Sequence, residues 1–173
     1  MKYIIASDIH GVSEYMEKLD KFITYEQDNL DGIILLGDLL NNYRYYEPEE
    51  VEKTIELLNK HFKLITCVRG NGDSSYDQER LLFDCLTNYK TIEIDGITFH
   101  LTHGHLSEYD SKIADKNAFV GHTHVYNLEG KIINPGSVGL PRHGTEHTCI
   151  LYDNKKLYLI DLDGFQILAE KNV

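Results

Sequence analysis

Five short polar clusters, each closing an apolar run, constrain this chain more than any other feature. They are Asp8-Ile9-His10, Gly37-Asp38, Gly70-Asn71-Gly72-Asp73, His103-Gly104-His105 and Gly121-His122-Thr123-His124. The runs before them, residues 3–6, 33–36, 64–68, 97–101 and 118–120, have the length and apolar character of buried strands. In an open α/β sheet, the loops at the carboxyl ends of the strands converge on one crevice, and ligands bind there. A chain that ends five strands on aspartate, asparagine and histidine is therefore predicted to gather those side chains at one place.

The segments between the runs set the fold class. Val12, Tyr15, Met16, Leu19, Phe22 and Ile23 recur at helical spacing. Pro48 suits the first turn of a second helix carrying Val51, Ile55 and Leu58, and residues 77–86 predict a short third one. After this βαβαβα half the chain turns mainly antiparallel. Residues 91–94 and 97–101 flank Asp95-Gly96, a strong hairpin signal, and residues 148–152 and 157–160 flank Asp153-Asn154. Short strands are also expected at 131–133 and at 165–168. The class is α/β. With 173 residues, 42% hydrophobic, and no linker or internal repeat, residues 1–173 are expected to form one domain.

Charge narrows the partners. Seventeen basic against 28 acidic residues give a net charge of −11, which repels polyanions, so no stable nucleic-acid binding is expected. The apolar run at the N-terminus stops at Ser7-Asp8, too short for a signal peptide, and no stretch suits a membrane span. Cys67, Cys85 and Cys149 form no CxxC pair and read as reduced thiols of a cytoplasmic protein.

The donors counted from the clusters are the carboxylates Asp8 and Asp38, the carboxamide Asn71, and the imidazoles His10, His103, His122 and His124. Seven oxygen and nitrogen donors exceed what one tetrahedral ion takes and suit two metals sharing a bridge. Without a thiolate, a closed structural zinc site is disfavoured. Four imidazoles disfavour Mg²⁺ and Ca²⁺ and leave Mn²⁺, Fe, Zn²⁺ or Co²⁺. Two divalent ions against two aspartates leave about +2, or about +1 with a bridging hydroxide, a surplus that attracts a phosphoryl group. Each cluster alone is a weak signal, since Asp-x-His and Gly-Asp are common. The five in order are not readily obtained by accident. His61, His100, His143 and His147 lack such a context and are expected in packing or surface roles.

This order of motifs, from Ser7-Asp8-Ile9-His10-Gly11 to Asn134-Pro135-Gly136-Ser137-Val138, resembles the calcineurin-like metallophosphoesterase superfamily. It is most similar to the small YfcE-like phosphodiesterase branch, which is related to Vps29. The resemblance implies a four-layer αββα sandwich with mixed parallel and antiparallel sheets. It implies two divalent metal ions, Mn²⁺ first among them with Fe, Zn²⁺, Co²⁺ or Ni²⁺ as alternatives. Asp8, His10 and His124 would hold one ion, Asn71, His103 and His122 the other, and Asp38 would bridge. It implies hydrolysis of small phosphodiesters by a metal-bridging hydroxide, and self-association as a homo-dimer or tetramer. A phosphomonoesterase with the same site and a Vps29-like interaction scaffold are the alternatives.

The chain departs from the family pattern in three places. Gly72 follows Asn71 where many members carry the histidine that protonates the leaving group. His105 is the substitute candidate, and in its absence good leaving groups are favoured. Residues 39–46 replace a His-Gly-Pro sequence and are expected to line the substrate entrance. Arg142, in Pro141-Arg142-His143, is the candidate phosphate contact.

Overall fold

Three apolar runs of the N-terminal half make the centre of the larger sheet. In the computed structural model, which describes residues 1–41 and 47–173, β1 (Lys2–Ala6), β2 (Gly32–Leu35) and β3 (Ile65–Cys67) lie parallel. α1 (Ser13–Glu26) and α2 (Pro48–Lys60) form the intervening helices, α2 with its proline in the first turn. The strands read as unbroken apolar runs because both of their faces are covered. Ile4, Ala6, Ile33 and Leu35 pack with Met16, Leu19, Val51 and Leu58 of the helices. Their alternating neighbours Tyr3, Ile5 and Ile34 belong to a second core cluster on the opposite face.

That second cluster lies between two sheets. β4 (Tyr89–Ile94) and β5 (Ile97–Thr102) form an antiparallel hairpin, and β5, β6 (Ala118–Val120) and β7 (Ile132–Ile133) run parallel. β8 (Thr148–Asp153), β9 (Lys156–Asp161) and β10 (Ile167–Asn172) extend the first sheet antiparallel, in the order β10-β9-β8-β1-β2-β3. Phe99 and Phe119 stack with centroids 4.7 Å apart, and Tyr152 meets Phe99 edge-on at 6.0 Å, joining the sheets. Each such buried ring contributes on the order of 1.5–3 kcal/mol from area alone. A single helical turn, α4 (Asp110–Ile113), stands beside Tyr109, which stacks on Tyr89 of β4 at 5.3 Å. The architecture is thus the expected α/β class with mixed sheets, its fourth layer reduced to short turns.

Three local expectations shift. The helix predicted over 77–86 is the four-residue α3 (Ser75–Gln78). Asp77 is spent on the capping box with Ser74, and the Gln78 side chain bonds Phe83 O and Cys85 N, so side chains replace the next helical turn. The Asp95-Gly96 turn has both residues at positive φ, as expected, but the second hairpin turns on Asn154-Lys155 because Asp153 pairs with Lys156. The last strand begins at Ile167, with Phe165 left-handed in the turn before it. Of the expected entrance loop, residues 42–46 (with Tyr43, Tyr45 and Tyr46) lie outside the described residues.

Candidate metal centre

The loops after β1, β2, β3, β5 and β6 meet where the two sheets adjoin. Asp8 N donates to Gly37 O (3.0 Å), His10 N to Asp38 O (3.0 Å) and Gly121 N to His103 O (3.1 Å). This approach needs glycine: a Cβ on Gly70 would lie 2.2 Å from Asp38 N, and one on Gly121 2.1 Å from Ser7 Oγ. Five of the seven predicted ligands adopt left-handed backbone, with φ of 55° at Asp8, 54° at His10, 54° at Asp38, 70° at His122 and 62° at His124. Such conformations in non-glycine residues cost on the order of 1–3 kcal/mol each and persist only where the surroundings enforce them.

Three of the four candidate imidazoles are held through Nδ1. The Nδ1–H groups of His10, His103 and His124 donate to the carbonyls of Asn41 (2.5 Å), Leu36 (2.6 Å) and Leu140 (2.5 Å). Each therefore turns its Nε2 toward the centre, the arrangement that orients ligating histidines. His124 Nε2 lies 3.2 Å from Asp8 Oδ1, and His10 Nε2 lies 3.7 Å from both Asp8 Oδ1 and Asp38 Oδ2. On the other side, His103 Nε2 is 3.5 Å from Asp38 Oδ2 and 3.3 Å from Asn71 Oδ1. His122 is exposed, its ring centroid 5.0 Å from that of His103, and its N–H donates to Asp8 Oδ2 (3.1 Å). Asp8, His10 and His124, and Asp8, Asp38 and His103, are two buried groups compact enough to hold an ion.

The donor set fits divalent metals. Asp8 Oδ1 is buried with no hydrogen-bond partner although Oδ2 is satisfied by Ser7 and His122. A buried carboxylate oxygen without a donor is costly, and a cation is the partner its position allows. Burial alone would raise Asp38, yet His103 and the Gly72 N–H outweigh it and hold the carboxyl down to about 2. Burial disfavours a charged His103, and Asp38 and Asp8 raise it nonetheless. A metal at these donors competes with that proton, so its affinity rises with pH. Burial pushes His124 down, and partial desolvation together with the His103 charge pushes the more open His122 down.

The remaining candidates sit around this core. His105 stands 5.3 Å from the His103 ring, its Nδ1 buried without a partner, and burial followed by the His103 and His122 charges pushes it down. Arg142 is exposed on a loop whose backbone bonds His124 O (3.3 Å), and its charge lowers both His122 and His124. The other histidines stand elsewhere: His61 bonds Asp20 (2.6 Å), His100 bonds Tyr89, His147 stacks on Tyr15, and His143 is exposed. Cys67, Cys85 and Cys149 are free and buried, and burial raises all three thiols.

Sequence reasoning assigned no role to the residues that clamp the loops. The buried Asp73 carboxylate accepts from the N–H groups of Asp38 (2.8 Å), Leu39 (2.8 Å) and Gly70 (2.7 Å). Ser137 Oγ donates to Asp8 O (2.7 Å), and Asn134 Nδ2 donates to Gly121 O (2.8 Å). The available signal was that Asn134-Pro135-Gly136-Ser137 is itself a polar turn cluster following a strand.

Residues 1–156 match the family model for the calcineurin-like phosphoesterase superfamily domain. The chain belongs to the calcineurin-like phosphoesterase superfamily. Phosphodiesterase YfcE of Escherichia coli strain K12 is 34% identical over 180 aligned residues, covering 98% of this chain and 97% of the relative. The solved structure of E. coli Yfce, described as a phosphoesterase, superposes with a TM-score of 0.84 at 31% identity over the whole of both chains. Zn²⁺-complexed Vps29 from Entamoeba histolytica shares the fold, with a TM-score of 0.62 and 17% identity over 100% of this chain and 98% of that one. The chain is a phosphoesterase of this superfamily, whose metal requirement agrees with the donor set above. Among the described residues no helix is long and apolar enough to cross a membrane.

Proposed function

We infer that the protein hydrolyses small phosphodiesters at a dinuclear metal centre, with Mn²⁺ as the expected metal. The observation that carries this reading is the unpartnered Asp8 Oδ1 facing His10 and His124, whose Nδ1 atoms are already committed to carbonyls. Asp8, His10 and His124 would hold one ion and Asn71, His103 and His122 the second. Asp38 Oδ2 suits the bridging position because it faces the imidazoles of both groups, 3.7 Å from His10 and 3.5 Å from His103. The relative named phosphodiesterase YfcE supports the choice of diesters.

Divalent ions bound there supply positive charge for the phosphoryl oxygens and acidify water. The chain's own residues do the rest. The carbonyl-locked imidazoles and clamped carboxylates hold the donors in place before substrate arrives, so little reorganisation is needed during reaction. Arg142 brings a further positive charge to the rim beside His122, suited to a substrate phosphate. His105 stands beside His103 and His122, and its depressed proton affinity leaves it without a proton ready for a departing group. Gly72 offers none, so the site favours esters whose leaving groups depart without protonation.

The test is turnover of bis(p-nitrophenyl) phosphate with Mn²⁺, in wild type and in Asn71→Ala and His122→Ala. Activity that is lost on chelation, restored by metal and strongly reduced in both variants is expected. Turnover independent of metal, or full activity in both variants, overturns the reading. A preference for monoesters would keep the centre and change the substrate class.

A further inference from the structure

Resting on the phosphodiester reading, we propose that a hollow beside the metal centre receives a planar aromatic ester group of the substrate. The hollow has a volume of about 240 Å³, with Leu40, Val51, Tyr76 and Arg80 among its walls. Asn41 and Gly72 also line it. Both touch the centre: Asn41 O accepts the His10 Nδ1–H at 2.5 Å, and Gly72 N donates to Asp38 Oδ1 at 2.7 Å. A group bound in the hollow is therefore separated from two candidate ligands by a single hydrogen bond on each side.

The chemistry of the walls selects the guest. Tyr76 is 62% exposed, and the Arg80 guanidinium stands 5.3 Å from its centroid. Arg80 is itself held by an ion pair with Glu52. A ring fixed by a cation and left open to solvent is a stacking platform, and the adjacent Leu40 and Val51 offer aliphatic surface. Asp77 also lines the hollow, but its carboxylate is turned to Ser74 N (2.7 Å) and Ser74 Oγ (2.8 Å), which moderates its repulsion of a phosphate ester. The volume falls below the roughly 300–1,000 Å³ of pockets for drug-sized ligands, so it suits a single ring system.

Gly72 forms the wall that the hollow shares with the centre. A Cβ there would stand 3.0 Å from Asn41 Cβ and 3.2 Å from both Asn41 Nδ2 and Asp38 Oδ1. At those distances any side chain at this position would crowd Asn41 and Asp38. The residue that leaves the site without a proton donor thus also keeps the wall of the hollow thin beside Asp38.

The experiment compares bis(p-chlorophenyl) phosphate with bis(hexafluoroisopropyl) phosphate, whose leaving groups have similar acidity but only one of which is aromatic. Hydrolysis by the Mn²⁺-loaded enzyme is followed by phosphorus NMR in wild type, Tyr76→Ala and Tyr76→Phe. The aryl diester is expected to be preferred by wild type. The aryl-to-alkyl ratio of kcat/KM should fall about tenfold in Tyr76→Ala and recover in Tyr76→Phe. Because Tyr76 is exposed, its truncation leaves the core intact. An unchanged ratio in Tyr76→Ala, or no aryl preference in wild type, overturns the role of the hollow alone. Failure of wild type to hydrolyse either diester overturns the phosphodiester reading and this inference with it.

Discussion

Left-handed backbone occurs both at the hairpin tips and at the metal centre, and the two regions tolerate it for different reasons. At the tips, Asp95 with Gly96 and Asn154 with Lys155 turn the chain between paired strands. The solution there is local: the strands on either side demand a primed turn, Asp95, Gly96 and Asn154 accept positive φ readily, and the turn imposes it on Lys155. At the centre, Asp8, His10, Asp38 and His124 adopt the same backbone while buried. Distant loops hold them, through Asp73, Asn134 and Ser137. The difference teaches that strain at a tip is settled by the neighbouring strands, whereas strain at the centre is maintained by residues that reach the candidate ligands from other loops.

The contrast can be broken most forcefully at a candidate ligand. Asp38→Ala is expected to lower kcat/KM on bis(p-nitrophenyl) phosphate about a thousandfold, the equivalent of several kcal/mol of metal-derived stabilisation. Elemental analysis should show reduced bound metal, and activity within about tenfold of wild type would remove Asp38 from the centre. A clamp should give an intermediate effect. Ser137→Ala is expected to weaken Mn²⁺ binding about 10–100-fold in calorimetric titration while the circular dichroism spectrum stays native. Wild-type affinity would mean that Asp8 holds its backbone without Ser137.

A third measurement probes burial next to a clamp. His147 donates to Val138 O (2.7 Å) and stacks on Tyr15, and burial chiefly pushes its proton affinity down. The unfolded chain then binds a proton that the folded chain refuses. Stability is therefore full above about pH 6.5 and declines as pH falls below it. In denaturant titrations, His147→Gln should flatten that decline. An identical slope would show that His147 contributes nothing to it. The smallest effect belongs to a tip: Asn154→Gly should change stability by no more than about 0.5 kcal/mol and leave kcat/KM unaltered. A loss of activity there would erase the distinction between the two regions.

What could be read from the sequence was what local chemistry controls. Apolar runs ending in Gly, Asp and His placed five clusters after β1, β2, β3, β5 and β6, and Asp95-Gly96 marked a hairpin, because strand period and turn chemistry are encoded within a few residues. The tautomers of His10, His103 and His124 were not legible, since their carbonyl partners come from other loops. The clamps were equally hidden: Ser137 acts on a residue 129 positions away. The missing turns of the third helix depend on the Gln78 side chain outcompeting backbone bonds, a balance that propensity does not decide. The hollow beside Gly72 draws on α2, α3 and two loops, so no single stretch of sequence announces it.

The meeting of His10 with His124 across 114 residues carries a consequence for how the molecule assembles. These donors are delivered by different sheets, so neither half of the chain can make a complete site. Ribosomal emergence of the first βαβ unit leaves only a fragment of the donor set, with the partners still unsynthesised. Capture of a cation by the complete donor set would then follow the docking of the sheets. Bound metal would act as a latch on finished molecules: it slows their opening and leaves the speed of their formation largely untouched.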